Sequence, residues 1–185
     1  MTDSELCSHL ASEAGKLLLE LQRSGKLEGK KLGQEGDRIA NAYLCASLTS
    51  ERPDDAVLSE EEKDCASRCA SSRVWIVDPL DGTREYSEGR SDWAVHVALA
   101  VDGVAAHGAV ALPGLGITLS SGNPPALKPA NQPLKMLVSR TRPAAEAVAV
   151  AEILGAELLP MGSAGANDMD VVPDEADIYL HPDGQ

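Results

Sequence analysis

Two aspartates follow a β-branched run in the segment Trp75–Tyr86, where they stand three positions apart. Pro79 is expected to hold Asp78 in an extended conformation and to end the strand, so that Asp81 falls within a turn. Both carboxylates can therefore point to one place, with the carbonyl of Leu80 between them as a third oxygen. Hard cations such as Mg²⁺ prefer this kind of oxygen ligand. The alternative is an ordinary Asp-rich β-turn, in which Asp-Pro and Asp-Gly are common dipeptides.

A second acidic cluster, Glu60–Glu62, follows a short apolar run that predicts a buried strand. Three adjacent glutamates usually form a solvated face rather than a site. Here they stand at a strand end, as the two aspartates do, and together the two ends offer enough carboxylates for two divalent ions. Gly82 and Thr83 are expected to open a helix whose free N–H groups suit a phosphate. One short turn could thus hold two metal ions and the phosphate that they bridge.

Hydrophobic periodicity indicates the helices and strands that would position these residues. A first helix is predicted over residues 2–22, with a capping box formed by Thr2 and Glu5. A second helix is predicted over residues 36–50, which would put Asp37 in its first turn. Asp102–Gly103 predicts a two-residue hairpin turn. The strands of this first part are predicted over residues 56–58, 74–77, 94–101, 104–112 and 117–120.

Four prolines between residues 122 and 133 indicate a linker, which we place at residues 123–133. The linker would separate an α+β domain with an antiparallel sheet, residues 1–122, from a partial α/β domain, residues 134–185. In the second domain, strands are predicted over residues 134–139, 157–161 and 177–181. Helices are predicted there over residues 143–154 and near 165–171.

The composition restricts the classes of partner. The formal net charge of −13 argues against a sequence-independent nucleic-acid binder, which needs Lys and Arg side chains to displace counterions. An anionic substrate would need cations to mediate its binding. No apolar run approaches the ~18 residues of a membrane span, and the acidic N-terminus is unlike a signal peptide. The four cysteines are therefore expected to be reduced thiols, and the protein to be cytoplasmic.

Two segments, Leu58–Glu61 and Trp75–Tyr86, resemble the metal-binding signatures of the inositol monophosphatase superfamily, and their spacing is also the family's. A later pair, Gly162–Gly165 and Ala176–His181, resembles the family segment that lines the substrate side. The resemblance implies a layered αβαβα sugar-phosphatase fold. It also implies a Mg²⁺-dependent phosphomonoesterase that uses two or three Mg²⁺ ions, which would reconcile an acidic protein with an anionic substrate.

The resemblance implies a set of metal ligands. Glu60, Asp78 and Asp81 would bind the metal through their carboxylates, and Leu80 through its carbonyl. Glu61 would be a nearby support or a ligand through water. The reaction would be an in-line attack by metal-activated water on a phosphomonoester.

The resemblance also implies the groups that handle water and phosphate. Asp37 and Thr83 would orient the attacking water and help to deprotonate it. The N–H groups of Gly82 and Thr83 would hold the scissile phosphate. These roles are carried over residue by residue onto positions that match the family's motifs.

Glu85 follows the Thr-Arg pair in a way that resembles the CysQ-type nucleotidase group of this superfamily. The implied substrate is a small molecule, 3′-phosphoadenosine 5′-phosphate, which would be cleaved to AMP. Ser139 and Arg140 resemble a Ser-Arg segment of the group on the substrate side, and Arg140 would bind the second phosphate bidentately. The alternative is that Arg140 is a surface arginine at a helix start. The other residues implied on the substrate side are Gly162, Ser163 and His181.

Three alternatives stay open at this point. Inositol 1-phosphate and fructose 1,6-bisphosphate could be hydrolysed by the same metal chemistry, and the chain could be a non-catalytic remnant. The family pattern would continue past Gln185 into a Trp-Asp segment whose aspartate ligates the second metal. We therefore expect an incomplete reading frame that is poorly active by itself. Family members are often dimers, so the resemblance also leaves a homodimer open.

Overall fold

The computed structural model describes residues 1–62, 66–126, 129–139, 143–161 and 176–180. Their contacts divide the chain into two compact units, Met1–Pro124 and Pro125–Gln185. Within these described ranges, no helix combines the length and the apolar character needed to cross a membrane.

The first unit contains a five-stranded sheet with its strands in sequence order. The strands are β1 (Ala56–Ser59), β2 (Arg73–Asp81), β3 (Ala94–Val101), β4 (Val104–Leu112) and β5 (Ile117–Ser120). The sheet was predicted to be antiparallel, but β1 and β2 are parallel, and only the later pairs are antiparallel. The reason is the connection between β1 and β2, which is long enough to return the chain to the starting end of the sheet. As a result, the carboxyl ends of β1 and β2 meet at one edge.

Helices α1 (Asp3–Arg23) and α2 (Gly29–Glu51) cover one face of this sheet. Strand β2 alternates accordingly: Trp75 and Val77 are buried in the core, whereas Ile76 between them is 43% exposed. The predicted capping box of α1 is present, with Thr2 and Glu5 bonded reciprocally. The fold is thus helices on a mixed sheet, and its core is filled mainly by aliphatic side chains together with Trp75, Trp93 and Tyr86.

Helix α2 begins at Gly29, seven residues before its predicted start at residue 36. The glycines that suggested a loop instead serve close packing. A Cβ on Gly36 would stand 2.8 Å from Cε1 of Tyr86, and a Cβ on Gly33 would overlap Oγ of Ser87 and stand 3.0 Å from Cγ2 of Thr83. The prediction that Asp37 lies in the first turn is therefore wrong, because two further helical turns precede it.

Strand β2 was predicted to end at Asp78 but extends to Asp81. Its pairing with β3 passes from Asp78 opposite His96 directly to Asp81 opposite Ala94, so the ladder is irregular across Pro79. A short helix, α3 (Thr83–Ser87), follows at once, as predicted. The hairpin turn Asp102–Gly103 is also confirmed, with both residues at positive φ between β3 and β4.

The second unit contains a three-stranded parallel sheet in the order β7–β6–β8. Its strands are β6 (Lys135–Ser139), β7 (Glu157–Met161) and β8 (Ile178–Tyr179), and helix α4 (Ala145–Leu154) packs on them. Asp177 accepts hydrogen bonds from the backbone N–H groups of Asn131 and Lys135, which ties the entry of β8 to that of β6. The helix predicted near residues 165–171 lies outside the described residues.

Candidate metal centre and active site

The candidate site lies where β1 ends beside the last residues of β2. Ser59, the last residue of β1, is paired with Val77 across the parallel strands, so Glu60 just past β1 and Asp78 within β2 lie at the same level. The N–H of Glu60 donates to the carbonyl of Val77 over 3.3 Å. The acidic run after β1 is therefore adjacent to the first of the two aspartates, as the sequence predicted for two strand ends that meet.

Carboxylates crowd around Asp78. Burial raises the pKa of Asp78 well above its ordinary value, and the charges of Asp81 and Glu60 raise it further. Nearby His96 and a hydrogen bond of 3.2 Å from the N–H of Leu80 lower it in part. The three acids thus repel one another at a partly buried position, and a divalent cation would turn that repulsion into attraction.

Asp37 faces the same cluster from α2. Its pKa is raised to about 6, mainly by burial and then by the charges of Glu61 and Glu60, while a hydrogen bond with Thr83 lowers it. A carboxylate with a pKa near the working pH can accept a proton and release it again. Asp37 thus adds a partly buried carboxyl of raised pKa beside the acids of β1 and β2.

Thr83, the first residue of α3, connects Asp37 to the turn after β2. Its hydroxyl donates to the carbonyl of Leu80 over 3.0 Å and also makes the bond with Asp37. A hydroxyl has one proton, so it can serve only one of these two acceptors at a time. When the proton goes to Asp37, the lone pairs of Thr83 can accept a hydrogen bond from a water molecule.

The turn itself depends on Gly82, which caps α3 with a φ of 84°. A residue with a Cβ would be strained in this left-handed conformation, so glycine lets the chain reverse between Asp81 and Thr83. Helix α3 has only five residues, and its dipole is correspondingly weak. Any hold on a phosphate here would come from individual N–H groups.

The donor set suits a hard cation in its chemistry. Asp78, Asp81 and Glu60 offer carboxylate oxygens, and the carbonyl of Leu80 keeps a second lone pair beside its bond from Thr83. Within the described ranges, no three His, Cys, Asp or Glu side chains are arranged around a common metal position. Glu60 is exposed, however, and an exposed glutamate can change its rotamer at little cost.

Two polar residues beside the cluster were not identified from the sequence. Nε2 of His96, on β3, lies 3.5 Å from Oδ2 of Asp81. Asn41 accepts a hydrogen bond from Ser59 over 2.7 Å and donates to Glu62 over 3.2 Å. A signal for Asn41 was available, because it stands four residues after Asp37 on a predicted helix.

The residues predicted for the substrate side belong to the second unit. Ser139 ends strand β6. The remaining predicted residues lie outside the described part of the chain: Arg140, Gly162, Ser163 and His181.

Comparison with known proteins identifies the family. The chain matches the model of the inositol monophosphatase family over residues 5–156. This chain belongs to the inositol monophosphatase family. The family's enzymes are generally Mg²⁺-dependent, and the predicted layered α/β fold is confirmed.

Individual members are similar over most of the chain. A protein from Mycobacterium leprae named 3′-phosphoadenosine 5′-phosphate phosphatase is 44% identical over 100% of this chain and 74% of its own length. One of the same name from Mycobacterium bovis is 46% identical over 94% of this chain and 69% of its own. The crystal structure of CysQ from Bacteroides thetaiotaomicron superposes with a TM-score of 0.76 at 22% identity, covering 96% and 78% of the two chains. The predicted likeness to the CysQ-type group is thereby confirmed.

Proposed function

We propose that this protein is a Mg²⁺-dependent phosphomonoesterase that converts 3′-phosphoadenosine 5′-phosphate to AMP and phosphate. The observation that carries the proposal is the meeting of the Asp37–Thr83 pair with the acids of β1 and β2 at one edge of a sheet. The choice of substrate is supported by the names of the mycobacterial relatives.

Two or three Mg²⁺ ions would be held by the carboxylates of Asp78, Asp81 and Glu60 and by the carbonyl of Leu80, with Glu61 as a support. When bound, the ions supply positive charge for the substrate and lower the pKa of water. Burial raises the pKa of Asp78 most, and the charges of Asp81 and Glu60 raise it further. The repulsion among these carboxylates supports the assignment, because a bound cation would reverse it.

Asp37 and Thr83 would handle the proton of the attacking water. Thr83 donates to Asp37, its oxygen orients the water, and the Asp37 carboxylate accepts the proton that the water releases. The N–H groups of Gly82 and Thr83 would face the scissile phosphate. On the substrate side, we retain the sequence-based proposals for Ser139, Arg140, Gly162, Ser163 and His181.

A substrate panel tests the proposal. Phosphate release is measured with 3′-phosphoadenosine 5′-phosphate, inositol 1-phosphate and fructose 1,6-bisphosphate, each with Mg²⁺ and with EDTA. We expect the nucleotide to be hydrolysed fastest and only with Mg²⁺. Equal or faster release from either sugar phosphate would contradict the substrate, and release that persists in EDTA would contradict the metal.

A matched pair of variants on α2 tests the proton acceptor. Asp37→Asn removes the carboxylate beside Thr83, whereas Glu35→Gln removes a partly exposed one on the same helix that is paired with Arg38. We expect Asp37→Asn to lower kcat at least about a hundredfold, as for loss of a general base, and Glu35→Gln to leave it nearly unchanged. Similar activity in both variants would remove Asp37 from the mechanism.

A further inference from the structure

Asn41 lies one helical turn after Asp37 on α2, so both side chains belong to one face of the helix. Asp37 bonds Thr83, whereas Asn41 bonds residues at the end of β1. Oδ1 of Asn41 accepts from the hydroxyl of Ser59 over 2.7 Å, and its Nδ2 donates to Oε1 of Glu62 over 3.2 Å. One side-chain amide thus joins the last residue of β1 to the last glutamate of the acidic run Glu60–Glu62.

Ser59 connects this amide to the backbone of the acidic run. The residue is buried, with 4% of its surface exposed. While its hydroxyl donates to Asn41, the hydroxyl oxygen accepts from the N–H of Glu61 over 3.3 Å. The carbonyl of Ser59 accepts from the N–H of Glu62, also over 3.3 Å. The chain therefore turns around a buried serine whose hydroxyl proton is directed by Asn41.

The acidic run needs such support because its three side chains are exposed and carry adjacent like charges. Exposed backbone beyond a strand end opens easily unless other groups bond it. Glu60 and Glu61 nevertheless lie near enough to Asp37 for their charges to raise its pKa, and Glu60 acts in the same way on Asp78. The bonds through Asn41 and Ser59 fix the backbone in this place and leave the glutamate side chains free to turn.

The chemistry of an amide matches both contacts of Asn41. Its Oδ1 takes a second donor, the thiol of Cys45 over 3.3 Å, so two donors define which amide atom faces Ser59. The amino group is then directed to Glu62. A carboxylate at this position could accept from Ser59 but would repel Glu62, and an aliphatic side chain would serve neither contact.

We infer that Asn41, acting through Ser59, is a positioning residue that presents Glu60 and Glu61 to the metal. The inference rests on the proposed function, since it takes the acidic run as part of a Mg²⁺ site. Asn41 itself would touch neither the metal nor the substrate. Residues that orient metal ligands in this way typically change metal affinity by about 10–100-fold when they are replaced.

An exchange of donor and acceptor tests the inference. N41D keeps an acceptor for Ser59 but sets a like charge against Glu62. In N41D/E62Q the amide and the carboxylate change places, so the bond can form again at the net charge of the wild type. Calorimetric titration with Mg²⁺, without substrate, gives the dissociation constants. We expect about tenfold weaker binding in N41D and an affinity close to that of the wild type in N41D/E62Q.

Three further variants separate the hydrogen bonds from the charges. E62Q alone keeps an acceptor for Asn41, and Glu62 is not among the proposed ligands, so its affinity should stay near that of the wild type. A42E adds a negative charge at the next, exposed residue of α2 and should likewise bind normally. S59A removes the hydroxyl and should weaken Mg²⁺ binding about tenfold by the second route, which also decides the matter if N41D does not fold.

Three results would overturn the positioning role. They are an unchanged affinity in folded N41D or in S59A, a failure of E62Q to restore N41D, and an equal loss of affinity in A42E. Urea unfolding in EDTA shows which variants are folded before they are compared.

Turnover distinguishes failure of this inference from failure of the proposed function. Since Asn41 acts on metal affinity, excess Mg²⁺ should return kcat of N41D for 3′-phosphoadenosine 5′-phosphate to near that of the wild type. If the wild type binds Mg²⁺ and hydrolyses this substrate, and N41D does both equally well at limiting Mg²⁺, the positioning role is wrong and the function stands. If the wild type neither binds Mg²⁺ nor hydrolyses the substrate, the function fails and the inference with it.

Discussion

The acidic side chains at the two ends of the β1–β2 pair have pKa values that are shifted in opposite directions. At the amino end, Arg73 of β2 bonds Asp55 over 2.8 Å and Asp3 over 2.9 Å, and Asp3 is also paired with Arg52. Burial would raise the pKa of Asp3 and Asp55, but their hydrogen bonds with the arginines outweigh it and the pKa of each is lowered. At the carboxyl end, burial and neighbouring acids raise the pKa of Asp78.

The difference separates stability from function within one pair of strands. The amino end joins α1, the β1 entry and β2 through compensated charges, which stabilises the fold. The carboxyl end keeps acids close together at a cost in stability, as functional sites commonly do. We therefore expect mutations at the two ends to change different observables.

The largest effect is expected at the carboxyl end. Asp78→Asn should lower Mg²⁺-dependent phosphate release at least about a hundredfold, since it removes a proposed metal ligand. The same change should stabilise the metal-free chain at pH 7 by about 2 kcal/mol, because it removes a charge that is disfavoured by burial and by the neighbouring acids. Urea unfolding in EDTA and a phosphate assay measure the two effects. Asp54→Asn, an exposed control, should change neither, and a destabilised Asp78→Asn would contradict the repulsion.

The amino end should respond in the opposite sense. Arg73→Gln leaves Asp3 and Asp55 without their shared cation and should destabilise the chain by about 1–2 kcal/mol, reduced by partial exposure. The activity of the folded fraction should be unchanged. Urea unfolding measures the stability, and phosphate assays in parallel measure the activity. Arg38→Gln, which breaks the exposed ion pair of Arg38 with Glu35, is the matched control. A loss of activity without a loss of stability would contradict the separation of the two ends.

A smaller effect is expected from the packing that sets Asp37 against Thr83. Gly33→Ala places a methyl group against Ser87 and Thr83, so α2 and α3 must move apart. We expect kcat to fall about tenfold, as for a slight misplacement of a catalytic pair, with little change in KM. Ser87→Ala should partly restore kcat in the double variant, since it removes the nearest clashing atom. No rescue would show that this contact does not set the geometry.

The smallest effect, on the pH dependence of stability, has opposite signs at the two ends. Asp37 has a raised pKa, so the folded metal-free chain binds more protons than the unfolded one between pH 3.8 and about 6, and stability falls as pH rises through that window. Asp3 and Asp55 have a lowered pKa, so their contribution is lost as pH falls below 3.8. Unfolding midpoints in EDTA measure how stability changes in both pH ranges. Asp37→Asn should reduce the fall in stability between pH 3.8 and about 6 by about 1 kcal/mol. Arg73→Gln should reduce the loss of stability below pH 3.8.

Local signals in the sequence were sufficient for several elements. The capping box of Thr2 and the Asp102–Gly103 hairpin depend on residues a few positions apart, and both are present. The turn from Asp81 through Gly82 into α3 is likewise encoded where it occurs. These features could be predicted because their physical causes lie within one short segment.

Features that depend on distant partners could not be predicted in the same way. Gly33 and Gly36 are helical because Thr83 and Tyr86, far along the chain, pack against them, and the sequence alone shows only glycines typical of a loop. His96 stands opposite Asp78 because of strand register, which the alternation of one strand does not fix. The parallel pairing of β1 with β2 also depends on contacts between segments that are distant in the sequence.

Magnesium titration of the melting temperature tests most directly whether the acids of β1 and β2 hold the metal. A ligand that binds only the folded state raises the melting temperature, and the rise grows with the logarithm of its concentration relative to Kd. Mg²⁺ should raise the melting temperature of the wild type at pH 7 and leave that of Asp78→Asn/Asp81→Asn unchanged, with Asp54→Asn behaving as the wild type. An equal rise in the double variant would contradict the account.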